Sequence, residues 1–122
     1  KIHPGITPQI VRTILCGNDT RAVIIETYGA GNAPSKEWFL DIVREASESG
    51  KIILDVTQCL AGSENMDIYA TGKCLKEAGV VNGYDATTES ALGKLFYLLG
   101  EIEDNDTVKT MLETDLRGEI SK

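Results

Sequence analysis

Apolar residues recur along this chain in two alternating rhythms. Unbroken apolar runs occur at residues 22–25 (Ala22, Val23, Ile24, Ile25) and, nearly so, at 51–56 (Lys51, Ile52, Ile53, Leu54, Asp55, Val56). Such runs read as strands buried on both faces, the type found in parallel sheets. Helical spacing fills the intervals. Residues 35–49 carry Phe39, Ile42, Val43 and Ala46 at i, i+3, i+4 and i+7, with Glu37, Asp41, Glu45 and Glu48 opposite as a solvated face. Ser35 is placed to cap this helix and Gly50 to end it.

The remaining chain follows the same alternation. Lys1, Ile2 and His3 read as the tail of a strand, and Pro4, Gly5 and Ile6 as a turn. Thr7 caps a helix with Pro8 at its first position, running to about Leu15 with Ile10, Val11, Ile14 and Leu15 on one face. Residues 66–78 read as a shorter helix bearing Tyr69, Ala70, Cys74 and Leu75, ended by Gly79. Val80 and Val81 form a brief last strand closed by Asn82, Gly83, Tyr84 and Asp85. Thr87 or Thr88 caps a helix over 89–99 whose core stripe is Ala91, Leu92, Leu95, Phe96 and Leu99. Asp104, Asn105 and Asp106 start a final helix through Val108, Met111 and Leu112. Residues 115–122 have little apolar content and receive no element. Short connections between alternating strands and helices predict one α/β domain, a three-layer αβα sandwich of flavodoxin/Rossmann type. Its parallel sheet has about four strands.

Composition narrows the class. A chain of 122 residues suits a single domain with a real core. The balance of 12 basic against 19 acidic residues, a net charge of −7, argues against a nucleic-acid or anionic-membrane surface. No apolar run approaches the ~20 residues of a membrane span. No stretch reads as a signal peptide, although the chain starts at Lys1 and leaves its native start open. Three widely spaced cysteines, Cys16, Cys59 and Cys74, fit reduced, apolar-like thiols in the cytoplasm better than a disulfide framework. The single His3 gives little basis for a histidine metal site or a Ser-His-Asp triad.

Ligand chemistry is sought where parallel sheets bind ligands, outside the carboxyl ends of the strands. There the first strand opens into Tyr28, Gly29, Ala30, Gly31, Asn32, Ala33 and Pro34. The second opens into a polar stretch over 57–65. Pro34 stands where the dinucleotide fingerprint needs its third glycine, which speaks against a nucleotide. The Asn32 amide both donates and accepts, and the glycines beside it admit close approach of a small amide or amino-acid group. Tyr69 offers a hydroxyl near Asn65 and Asp67. A loop-stabilising Asn and a Tyr packed on its helix satisfy the same pattern, as does a tight connection with no ligand. Thr57 and Cys59 follow a strand end, but a nucleophilic Cys59 needs a base or an electropositive neighbour, and none is nearby in sequence. Glu64, Asp67, Asp85 and Glu89 make no acid–base pair by spacing.

Four segments, taken together and in order, resemble one family. ETYGAGNAP (26–34), DVTQCLAGSENMDIYATGK (55–73), AGVVNGYDATTESALGKLFYLLG (78–100) and DLRGEIS (115–121) are similar to the C-terminal domain of type I (cytosolic) L-asparaginases, across nearly the whole chain. The resemblance implies a larger N-terminal domain, outside this chain, that carries a threonine nucleophile, a second threonine and a lysine–aspartate pair. It implies hydrolysis of L-asparagine to L-aspartate and ammonia without metal or organic cofactor, so this chain alone holds no catalytic residue. Asn32 and Tyr69 match positions that border substrate in a neighbouring subunit, within a homodimer or homotetramer. Thr57, Gln58 and Cys59 match an asparagine effector site. Glu26 stands where allosteric members carry arginine, and a glutamate there would repel the effector's carboxylate. Two other readings stay open: an asparaginase-like subunit of a glutamyl-tRNA amidotransferase, and a non-catalytic amino-acid-binding or dimerisation module.

Overall fold

The computed structural model describes residues 2, 5–17, 19–27, 36–57, 73–83, 86–118 and 120. Helix α1 spans Pro8–Cys16 and strand β1 Ala22–Thr27. Helix α2 spans Glu37–Glu48, β2 Ile52–Thr57, β3 Val81–Asn82, α3 Thr88–Glu101 and α4 Asn105–Leu112. Residues 73–77 are also helical. None of the described helices is long and apolar enough to cross a membrane.

The caps explain most boundaries. Thr7 Oγ1 accepts from the Ile10 amide at 3.3 Å, and Pro8 opens α1 as expected. Thr87, rather than Thr88, caps α3 by accepting from Ser90 N. Asp104 caps α4 through Thr107 N. Ser35 lies outside the described residues. Helix α2 starts after Lys36, whose side chain makes no cap bond, while Glu37 in the first turn complements the helix dipole. Gly50 ends α2 and Gly79 ends the 73–77 helix at φ +99° and +98°, left-handed values that suit glycine after a helix.

The described sheet has three parallel strands in the order β1-β2-β3. The expectation of about four is met in part by Ile2, whose amide donates to Glu26 O at 3.0 Å. Alternation splits the strands between two layers. Val23, Ile25 and Ile53 face α1, α2 and the 73–77 helix, packing with Val11, Leu15, Phe39, Ile42, Val43, Ala46 and Leu75. Ile52, Leu54, Val56 and Val81 face α3 and α4, packing with Ala91, Leu95, Leu98, Val108 and Leu112. Ile120, in the tail left without an element, is buried in this second layer.

Two predicted stripes come out rotated. On α1, Val11 and Leu15 are buried whereas Ile10 and Ile14 are about half exposed. On α3, Ala91, Leu95 and Leu98 are buried, while Leu92 is 44% and Phe96 70% exposed. At 100° per residue, adjacent apolar positions cannot all share one sheet-facing line, and the i, i+4, i+7 members occupy it.

Candidate functional site at the strand ends

Parallel pairing places the carboxyl ends of all three strands on one edge. The register runs Ile25 to Asp55, Glu26 to Val56 and Thr27 to Thr57, then Asp55 to Asn82. Segments 28–35 and 58–72 continue from this edge. Asn32, Gln58, Cys59 and Tyr69 fall in those segments, outside the described residues, and Glu64, Asp67 and Asp85 are likewise outside them. Of the expected site residues, Glu26 and Thr57 are described. The strand register brings their backbones to neighbouring strand tips.

Among the described residues at this edge lie two bonded side-chain pairs, one in each layer. Glu26 points toward the α3 layer, where Thr88 Oγ1 donates to Glu26 Oε1 at 2.6 Å. Thr88 is the first residue of α3, so the carboxylate sits by the positive end of that helix. Thr27 points toward the α2 layer and is buried, and its Oγ1 donates to Asp55 Oδ1 at 2.7 Å. Burial pushes the Asp55 carboxyl up to about 6, with the Thr27 bond pulling the other way. Gly83 closes the edge: its amide donates to Asp55 O at 2.8 Å, and a Cβ there would meet that oxygen at 2.6 Å.

Sequence reasoning missed the Thr27–Asp55 pair. The signal was Asp55 itself, one acid inside an otherwise apolar strand, where a charge requires a partner or a proton. Glu89, one of the carboxylates considered, is an exposed first-turn residue of α3. Cys16 and Cys74 are free and half-buried. No group of His, Cys, Asp and Glu among the described residues could hold a metal ion. What remains is a polar rim at the strand ends, carrying no nucleophile–base pair among the described residues.

Comparison with known proteins agrees with this layout. The chain is 42% identical over 120 residues to L-asparaginase 1 of Escherichia coli K12, covering 98% of the chain and 35% of that protein. It is 43% identical to the 60 kDa lysophospholipase of Mus musculus over 99% of the chain and 21% of that protein. For a glutamyl-tRNA(Gln) amidotransferase subunit of Sulfolobus acidocaldarius the identity is 39%, over 99% of the chain and 26% of that protein. The crystal structure of L-asparaginase I from Vibrio cholerae superposes with a TM-score of 0.84 at 44% identity, covering 99% of this chain and 36% of that one. The chain thus spans about a third or less of the length of these relatives. The model of the glutaminase/asparaginase C-terminal domain matches residues 1–112, and the chain belongs to that family.

Proposed function

We propose that this chain is the C-terminal domain of a cytoplasmic L-asparaginase, whose larger N-terminal domain carries the threonine nucleophile. The observation that carries this reading is the 42% identity to E. coli L-asparaginase 1 through nearly the whole chain. In this reaction asparagine acylates the threonine, ammonia leaves, and water releases aspartate. Splitting amide cleavage in this way lowers each barrier, and no metal or organic cofactor is required.

The domain's contribution is positioning, because misplacement by an ångström near a reacting amide is costly. Asn32 and Tyr69 border the substrate's amino-acid end in a homodimer or homotetramer. Thr57, Gln58 and Cys59 line an effector pocket for a second asparagine. At the Glu26 position an arginine would clamp the effector's carboxylate. Glu26 is instead bonded to Thr88, so it serves the start of α3 and gives that carboxylate no counter-charge. Asparagine activation is accordingly weak or lost.

The test is ammonia release from asparagine by the full-length protein. Asn32→Ala and Tyr69→Phe are expected to lower kcat/KM at least tenfold, and unaltered kinetics would remove those residues from the site. Similarity to the amidotransferase subunit supports a second reading. Amide hydrolysis that requires glutamyl-tRNA and its partner subunit would favour it over the first.

A further inference from the structure

Asp55 is a partly buried carboxyl on the central strand β2, on the face it shares with Ile53. Its hydrogen-bond partner is the Thr27 hydroxyl, which belongs to the neighbouring strand. Its neighbours on that face are Ile25 in β1 and Asn82 in β3. The elements covering it bring no counter-charge among the described residues. Helix α2 turns Phe39, Ile42, Val43 and Ala46 inward, and its Glu37, Asp41, Arg44, Glu45 and Glu48 lie on its outer side. In the 73–77 helix Lys73, Lys76 and Glu77 are exposed, and Glu26 lies on the other face of β1, bonded to Thr88. Lys51 stands four residues back, at the far end of β2. Cys59, Tyr84 and Asp85 lie outside the described residues.

With one donor and no cation among the described residues, the Asp55 carboxyl has two arrangements to choose between. Protonated, it is neutral and suits the packed face. Ionised, it draws in further donors or water beside the Thr27 hydroxyl, and the contact between the ends of β1 and β2 has to readjust around them. Those tips, Thr27 and Thr57, are the residues from which segments 28–35 and 58–72 depart.

We propose that the Thr27–Asp55 pair is a positioning contact, in which loss of the Asp55 proton shifts the ends of β1 and β2 and thereby makes substrate binding depend on pH. The proposal rests on the asparaginase reading for its substrate, and on the sheet geometry alone for its shift. Burial places the transition near neutrality, since the carboxyl titrates at about 6 rather than in the ordinary carboxylate range.

Two measurements test it separately. In the 122-residue chain, NMR titration from pH 4 to 8 follows the Asp55 side-chain carbon with the backbone amides of Thr27, Thr57 and the residues just after them. The expected result is one shared midpoint, absent in Asp55→Asn, moved to higher pH in Thr27→Val and restored in Thr27→Ser. Amides that do not move with Asp55, or a carboxyl that titrates near 4, overturn the proposal. In the full-length protein, KM for asparagine is expected to change severalfold across the same midpoint while kcat changes little, and Asp55→Asn is expected to flatten the KM profile. A KM profile in Asp55→Asn that matches the parent also overturns it. A full-length protein without asparagine hydrolysis overturns the asparaginase reading, and the NMR titration then decides the strand-tip shift by itself.

Discussion

The two ends of the β-sheet hold their polar groups in opposite ways. At the amino end, Arg21 precedes β1 and spends its guanidinium on four acceptors. Its Nε donates to Asn105 Oδ1 at 2.7 Å, one terminal nitrogen to Leu99 O at 3.2 Å, and the other to Ile102 O and Glu103 O, both at 2.8 Å. Asn105 Nδ2 in turn donates to Gly50 O at 2.7 Å, tying the α3–α4 turn to the end of α2. A planar, permanently charged fork suits such a fixed set of carbonyls. At the carboxyl end two carboxyls among the described residues accept from threonine hydroxyls, Asp55 from Thr27 and Glu26 from Thr88. The amino end is a lock of fixed charge on backbone carbonyls, whereas the carboxyl end is held by neutral hydroxyls on carboxyl groups.

The largest effect that would break this contrast is at the lock. Arg21→Ala strands three carbonyls and the Asn105 amide, and is expected to cost about 4 kcal/mol in urea unfolding. Arg21→Lys should recover less than half of that loss, because an ammonium cannot span the same acceptors. Asp55→Asn works in the other direction. The folded carboxyl holds its proton up to about 6 against 3.8 unfolded, so Asp55's favourable contribution is full below pH 3.8 and is lost as pH rises through 6. The neutral amide escapes that loss and is expected to add about 3 kcal/mol at pH 7.5 and almost nothing at pH 3.5. A variant equally stable to its parent at pH 7.5 would place Asp55 among ordinary solvated carboxylates.

Smaller changes sharpen the comparison. Thr88→Val removes the hydroxyl from Glu26 and is expected to cost about 1 kcal/mol in thermal unfolding, with α3 otherwise intact. Phe96→Ser, on the outer face of α3 away from either end, should stay within about 0.5 kcal/mol of the parent. A larger loss there would mean that this side chain is covered in solution.

Element types and layer order were legible in the sequence because apolar runs and helical spacing are direct consequences of burial on a sheet. The Thr7 cap was legible for the same local reason, as was the start of the last helix at residues 104–106. The facing of Leu92 and Phe96 was not, since Leu and Phe next to a true core stripe are indistinguishable from it until the helix is set against the sheet. The Arg21 network was equally hidden. Its partners lie 78–84 residues away, and no local pattern announces them. Of the candidate site, the strand-end location could be read from topology, while the Thr27–Asp55 bond depended on strand register.

Glu26 and Thr27 are adjacent, yet each belongs to a different half of the sandwich. An insertion of a single residue early in β1 would exchange them, turning Glu26 onto the same face as Asp55 of the neighbouring strand. A single-residue length change in this strand is therefore expected to cost more than the same change in the connections beyond the sheet.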